Sequence, residues 1–486
     1  MSSREGSDQP SFITEGLENG LNVAGYFRAE LGLGENGRLF LAAAEAAGEK
    51  IATIPYGETV SRQNHPFDDR NRLSAPYDIN VICVNGDKVR DFATHVGRSF
   101  FKGRYTIGLW AWELEEFPRY MQDGFQFVDE VWAISGFSAA AISAVSPKPV
   151  LVLPPAIVAP LDPAVDRASF GLPATTFMFL FIFDFYSVMA RKNPLGLIEA
   201  FKSAFGPDEG PVLVIKSING HQRSDDLEQL RSAAKRVPNV VLLEDYLSAA
   251  ECSSLIAACD CYISLHRSEG FGLTMGEAMA LRKPVIATGY SGNLEFMNND
   301  NSFLVGHRLV PVPSGCGPYQ EGASWAEPDV EEAAKLMRLV VEQPEEARRR
   351  ALRGAADVGA NHGVLNRAQF IRKRLDELRS SDRGVRDRLS VTLGRMSTHL
   401  SRPPGESNPP TVYGRLGRLA RRAVIRLSRP VWLGQQAFDQ MVLQGLIEAH
   451  AELRRMHSEI QALKEKVEEA ADDSAISHEA PEGDYP

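Results

Sequence analysis

The chain has 486 residues, a length that fits about two to four domains. Hydrophobic residues make up 44% and charged residues 24%, the composition of a globular protein. A net charge of −10 excludes a basic, nucleic-acid-seeking body.

The start, MSSREGSDQPSFITEG, is polar and lacks the apolar run of a secretory signal, so residues 1–18 read as a disordered N-terminus. From 19 to 160, short apolar runs alternate with longer mixed segments: LNVAGYF, KIATIPY, YDINVICV, RYTIGLWAW, DEVWAIS and KPVLVLPPAI. Several runs are nearly continuous, the pattern of strands buried on both faces of a parallel sheet. Helical segments such as GRLFLAAAEAAG lie between them, which gives βαβ rhythm and a doubly wound sheet. Residues 158–176, rich in Pro, Ala and Asp, read as an interdomain linker. The rhythm then restarts in TFMFLFIF, PVLVIK, NVVLLE, DCYISL, PVIAT and SFLVG. This predicts a second Rossmann-like domain over 161–380, closed by helices from about 329 that pack back on the first. The longest strongly apolar stretch, Phe177 to Phe183, is far short of the ~20 residues a spanning helix needs. Of the five cysteines, Cys83, Cys259 and Cys261 lie in or beside apolar runs; with no paired CxxC, the five fit reduced thiols in a cytoplasmic protein.

Beyond 380 the character changes. Residues 381–435 form a Pro-containing linker in which 413–430 carry six Arg and no acid, a segment suited to a solvated basic linker or to peripheral contact with anionic membrane. Over 436–472, Leu446, Leu453, Ile460 and Val467 repeat every seven residues, with Ala449, Met456, Leu463 and Ala470 three positions later. That heptad predicts a coiled coil and an oligomer built through it. Residues 473–486 read as a disordered tail.

The stretch most in need of a chemical account is HRSEGFGLTMGEAMA, residues 266–280. It leaves an apolar strand, turns a glycine-rich corner and enters a helix. Thr274 and Glu277 fit a capping box, which gives Glu277 a structural reason to be there. Glu269 has none: it stands at the carboxyl end of a parallel strand, where open α/β sheets bind ligands. Gly270 and Gly272 let a ligand approach the backbone. The amides of Leu273, Thr274 and Met275 open a helix and form a ready anion site. Hydroxyls for the carboxylates and a diphosphate for the helix start describe a nucleotide-diphosphate sugar.

These residues, with LRKPVIATGYSGNLEFMNNDNSFLV and YQEGASWAEPDVEEAAKLMR, resemble the E-x7-E region of the retaining glycosyltransferases of GT-B architecture, family 4 type. The resemblance covers about residues 20–375 and is stronger in the second domain. It implies an α/β GT-B fold, two Rossmann-like domains facing a cleft, here followed by a helical and coiled-coil tail. It also implies that Glu269 contacts the donor sugar, that Gly270, Phe271 and Gly272 line it, that Leu273 and Thr274 amides reach the diphosphate, and that Glu277 holds the ribose. The family's basic pair, aligned on LIEAF, puts Lys192 on the lysine but Ser187 where an arginine belongs. Arg191 or Lys216 then supplies the missing cation, and a lysine does so only as a point charge.

In the first domain, GLGENG fits GxGxxG at Gly32, Gly34 and Gly37. The glycines start five residues after the strand, and the acid expected near the next strand's end is out of place, which disfavours a dinucleotide-binding dehydrogenase. A glycine-rich first loop lining the cleft at Gly34 is the better reading. Where the family has a histidine near the reacting sugar, this chain has Trp110, Trp112 and Glu113. The tryptophans suit sugar stacking or core packing, and Glu113 suits acceptor contact or proton transfer. His266 either enters the cleft or bonds locally. No metal site and no cofactor is indicated. The expectation is a metal-independent hexosyltransferase with catalytic Glu269, Lys192 and Glu113, moving a sugar from a nucleotide donor to a glycan or lipid-linked hydroxyl in cell-surface polysaccharide or glycolipid synthesis. The alternative is a non-catalytic sugar-nucleotide or glycan-binding scaffold organised by the coiled coil.

Overall fold

The computed structural model describes residues 16–68 and 75–380. Of the N-terminus predicted as disordered over residues 1–18, residues 1–15 lie outside the described residues, as do the basic segment, the heptad region and the C-terminal tail. Residues 16–18 are described, and Glu18 already opens the first strand, bonded to the chain at Pro76. Both sheets belong to one compact unit, Met1–Arg372.

The first sheet has six parallel strands: β1 (Glu18–Gly25), β2 (Ile51–Pro55), β3 (Tyr77–Cys83), β4 (Tyr105–Trp110), β5 (Glu130–Ala133) and β6 (Val150–Val152), in the order β2-β1-β3-β4-β5-β6. The second has β7 (Met178–Asp184), β8 (Val212–Ile218), β9 (Val240–Leu243), β10 (Cys261–Ser264), β11 (Val285–Thr288) and β12 (Phe303–Val305), in the order β12-β11-β10-β7-β8-β9. Every pairing within these sheets is parallel; Phe179 of β7, for instance, sits between Cys261 of β10 and Leu213 of β8. The near-continuous apolar runs follow from this arrangement, because helices cover both faces of each sheet and each residue of β3 is buried. Strand order reverses between β1 and β3 in one sheet and between β7 and β10 in the other. At such switch points the loops leaving the carboxyl edges diverge and open a crevice.

The closing helices run over Val330–Glu342, Pro344–Asn361 and Val364–Ser380. They do pack back on the first domain: the Phe370 ring lies edge-on to Trp132 at 5.6 Å, and Arg372 donates to the Ala47 carbonyl at 2.8 and 3.0 Å. One element has no counterpart in the strand pattern of the sequence. An antiparallel hairpin, β13 (His307–Pro311) and β14 (Ser324–Pro328), leaves the second domain after β12. Its Val312, Cys316, Tyr319 and Trp325 join the hydrophobic core of the first domain, beside Trp110 and Trp112. Among the described residues, no helix is long and apolar enough to cross a membrane.

Candidate active site in the interdomain cleft

The cleft between the domains holds a cavity of about 460 Å³. Its second-domain wall comes from β7 and β8 with the segments that follow β7, β9 and β10. Its first-domain wall includes the start of the helix Gly32–Ala46, Glu113 after β4 and Ile134 after β5.

The corner after β10 is held on every side. Gly292 N–H donates to the Glu269 carbonyl at 2.9 Å, and Glu269 N–H donates to Ser291 Oγ at 2.8 Å. Arg191 donates to the Ser268 carbonyl at 2.6 Å. From the first domain, Ser135 Oγ donates to the Gly270 carbonyl at 2.6 Å, and Ser268 Oγ reaches back to the Glu113 carbonyl. Ser291 has φ +75° and ψ −148°, a region nearly reserved for glycine. That conformation costs of order 1–3 kcal/mol and persists only because neighbours over-determine it, a pattern that clusters at functional sites.

Glu269 is only 8% exposed, yet it is charged. Burial pushes its carboxyl up, but Lys192 on Oε1 and Arg191 on Oε2, the latter at 3.2 Å, more than offset this and hold it down at about 2. Arg191 is thereby committed to the corner: Nη1 serves Ser268 and Glu269, and Nε donates to the Ser187 carbonyl at 3.1 Å. Lys216 differs. It is 1% exposed and, among the described residues, its ammonium donates only to the Ser217 carbonyl, at 3.0 Å. Burial lowers its proton affinity against the weaker pull of Asp245 and Asp184, and among the described residues no anion is in ion-pair contact with it. Of the two candidates for the missing arginine, Lys216 keeps donors in reserve.

The helix Leu273–Ala280 begins at Gly272, whose φ of +90° only glycine adopts freely, and no side chain caps it. Met275 and Gly276 amides bond the Gly272 carbonyl, so the free donors are Leu273 and Thr274. The expected capping box is absent. Thr274 lies inside the helix, not at its cap, and its Oγ1 accepts from the Tyr262 hydroxyl at 2.8 Å. Glu277 therefore loses its structural reason, and its carboxylate has no hydrogen-bond partner among the described residues. Burial, helped by Glu35 across the cleft, pushes it up to about 8. The folded chain then binds a proton that the unfolded chain releases above the usual carboxylate range. Stability attributable to Glu277 is full below that range and falls as pH rises to about 8. Glu277→Gln should therefore gain stability over the native chain between about pH 5 and 8 and hold that gain above it. Chemical denaturation of both proteins at several pH values checks this.

Other expected residues are placed elsewhere. His266 does not enter the cleft. It is fully buried behind the corner, with Nδ1 3.1 Å from Ser264 Oγ and Nε2 3.2 Å from Asn293 Oδ1, and burial keeps it neutral. Trp110 and Trp112 pack in the first-domain core: Trp110 stacks on Phe117 at 6.1 Å, and Trp112 Nε1 donates to the Glu116 carbonyl at 2.8 Å. Gly32, Gly34 and Gly37 are in the opening turns of a helix, not a loop. A Cβ on Gly34 would sit 2.6 Å from the Ala29 carbonyl oxygen, so backbone approach accounts for that glycine. Glu113, Lys192, Lys216, Glu269 and the 270–274 backbone do come together on the cavity. Gly292, Ser291 and Tyr319 had no sequence signal of their own, since their roles rest on tertiary approach. Among the described residues no three His, Cys, Asp or Glu side chains gather as metal ligands, and all five cysteines are free.

Residues 165–356 match the family model of Glycosyl transferases group 1. No curated protein matches the sequence. Solved structures do match over most of the chain. Anabaena Alr3699/HepE, in complex with UDP and glucose, aligns with TM-score 0.53 and 17% identity over 73% of this chain and 99% of its own. Sucrose-phosphate synthase from Thermosynechococcus elongatus aligns with TM-score 0.55 and 15% identity over 75% and 100%. A glycosyltransferase from Rickettsia africae aligns with TM-score 0.53 and 12% identity over 77% and 100%. The fold is GT-B. In the GT-B frame the cleft just described lies between the two Rossmann-like domains, and the family match spans the wall that carries Lys192, Lys216 and Glu269.

Proposed function

We propose that this chain is a hexosyltransferase that moves a sugar from a nucleoside diphosphate donor to a hydroxyl acceptor, with retention of configuration and without a metal ion. One observation carries the reading: Lys216, buried with a single neutral acceptor, shares its cavity with Lys192 and with the unpartnered Leu273 and Thr274 amides. That is an anion site with room beside it for a sugar. UDP and glucose in the Anabaena relative's complex support the same ligand class.

In this reading the diphosphate meets the Leu273 and Thr274 amides and the two lysines. Lys192 turns from Glu269 to the phosphate, and Glu269, still paired with Arg191, accepts from sugar hydroxyls. Glu277 accepts from the ribose. The bond from the anomeric carbon to the diphosphate oxygen breaks and the leaving group takes the electron pair. The acceptor oxygen forms the new bond, and Glu113, on the facing wall, takes the proton it loses. Prepositioned cations and amides stabilise charge on the departing phosphate without reorganising. The acceptor is a glycan or lipid-linked hydroxyl in cell-surface polysaccharide or glycolipid synthesis on the cytoplasmic side, where the basic 413–430 segment and the heptad would add membrane contact and oligomerisation.

A thermal-shift panel of UDP, GDP and ADP sugars tests this. One donor should raise the unfolding temperature increasingly with concentration and be consumed, releasing the nucleoside diphosphate. No shift with any donor would sink the proposal. Binding without consumption would leave a binding scaffold in its place.

A further inference from the structure

Thr274 brings more than its amide to the anion site, and a tyrosine outside the cavity determines how. Tyr262 lies in β10, and its side chain is fully buried. β10 runs on to Ser264 and β7 to Asp184, yet the two pair only at Cys261–Phe179 and Tyr262–Leu180. Beyond that point β7 keeps its ladder with β8 alone, up to Asp184 and Ile218. This divergence is the switch point that opens the cleft. The Tyr262 hydroxyl fills the gap. Ile182 N–H donates to it at 3.3 Å, and it lies 2.8 Å from Thr274 Oγ1 in the first turn of the helix Leu273–Ala280. Packing alone would be served by phenylalanine. A buried hydroxyl needs partners, and here it finds them on the strand and the helix that diverge around the cavity.

The phenol has one proton and two oxygens within reach. Thr274 Oγ1 at 2.8 Å is at the usual O–H···O distance, whereas the Ile182 carbonyl at 3.5 Å is beyond it. Tyr262 therefore donates to Thr274. The threonine oxygen then acts as acceptor, and its own proton is left to point elsewhere. A threonine in a helix often gives that proton to a carbonyl one turn back. Here the chain one turn back has left the helix: Gly272 has φ +90°, and the Gly270 carbonyl already accepts from Ser135 Oγ at 2.6 Å. Among the described residues the Thr274 proton has no acceptor. Thr274 lines the cavity, while Tyr262 stands behind it, and Lys192, Lys216 and Leu273 line the same cavity.

We propose that the Thr274 hydroxyl donates to a diphosphate oxygen of the sugar nucleotide, and that Tyr262 is the positioning residue that turns its proton into the cavity. The proposal rests on the glycosyl-transfer reading above. The surroundings favour a phosphate oxygen over a sugar hydroxyl. The two amides and the two lysines that share the cavity with Thr274 are all donors, and an anion that only accepts can satisfy each of them. A bond from the hydroxyl to that anion strengthens as charge gathers on the departing diphosphate.

Titration of the native chain with UDP, GDP and ADP comes first, and binding by none of them removes the transfer reading itself. Inorganic pyrophosphate is the second probe, because it carries the anion without ribose or base. Thr274→Val keeps the shape and removes the hydroxyl. It should weaken both the nucleoside diphosphate and pyrophosphate about 10- to 100-fold, as loss of a hydrogen bond to a charged group does. Thr274→Ser, which keeps the hydroxyl, should retain most of the affinity. A loss confined to the nucleoside diphosphate would place the hydroxyl on the ribose or base, and unchanged affinity for both probes would leave it without a ligand. Either result overturns the proposal and leaves the transfer reading standing. Tyr262→Phe should also weaken both probes, and in a Thr274→Val background it should weaken neither further. An additive loss there, or unchanged affinity in Tyr262→Phe alone, overturns the positioning role. Affinities are compared below each variant's unfolding temperature, so that a loss of stability does not enter them.

Discussion

Glu269→Ala is expected to damage both stability and turnover. The substitution leaves Arg191 and Lys192 without the carboxylate that both now hold, at a site where all three side chains are largely buried. Removing one partner of a buried ion pair costs about 3–5 kcal/mol, because the remaining charge has neither water nor counter-ion. The two cations should then hold a phosphate anion instead. Added nucleoside diphosphate is expected to restore part of the lost unfolding temperature, and to stabilise the variant by more than it stabilises the native chain. Transfer should still fall by about 10²–10³-fold, the usual loss when a preorganised polar contact at a reacting centre is removed. Denaturation with and without the diphosphate, beside a transfer assay, reads both effects. Normal turnover by the variant would defeat the assignment of Glu269. The stability penalty has its own pH signature. The Glu269 carboxyl is held down at about 2, so its contribution is complete above the ordinary carboxylate range and is lost as pH falls through that value. The variant and the native chain should therefore converge in strong acid.

The second large effect is expected from a substitution that changes no charge. A Cβ at Gly292 would stand 2.0 Å from the Gly270 carbonyl oxygen and 2.4 Å from its carbon. Both are backbone atoms of the corner that carries Glu269, so no side-chain rotation relieves the clash. Gly292→Ala must push the corner away by about 1 Å, a misplacement of a size that costs roughly 10²-fold in rate. Overpacking of this kind also costs about 1–3 kcal/mol. The expected result is weaker donor binding and slower transfer together. Gly206→Ala is the control, since its nearest neighbour would be Glu209 Cγ at 3.8 Å. If Gly292→Ala matched that control in both stability and rate, the corner would be more yielding than its contacts indicate.

What the sequence makes legible is what depends on period and solvent. Phe177 to Phe183 is apolar throughout because β7 lies between β10 and β8 under helices on both faces, and that burial is written into the run itself. The Glu269 corner is legible for a similar reason, since two glycines between a strand and a helix serve close approach to the backbone and little else. Contacts that form only in three dimensions leave no such trace. Thr274-x-x-Glu277 matches a capping pattern, yet the helix starts at Leu273 and Tyr262 takes the threonine hydroxyl. Trp110, Trp112 and Glu113 are close neighbours at the end of one strand, and nothing local tells that the rings turn to the core while the carboxylate meets the cavity. The β13–β14 hairpin escaped notice because His307–Pro311 is largely exposed and its apolar residues follow no period; the hairpin's buried side chains are covered by the other domain.

That hairpin also sets how the cleft is able to breathe. Spreading the walls at its tip would draw Val312, Tyr319 and Trp325 out of the first domain's core. Each apolar side chain re-exposed in this way costs roughly 1.5–3 kcal/mol. The tip is thus an axle, and rotation about it is cheaper than separation. Elsewhere the walls meet through weaker contacts: the half-exposed Arg62 guanidinium lies over the Tyr246 ring at 4.6 Å, a contact that water readily replaces. The cleft is therefore expected to widen on the Arg62–Tyr246 side more readily than at the hairpin, whose buried side chains tie the two walls together.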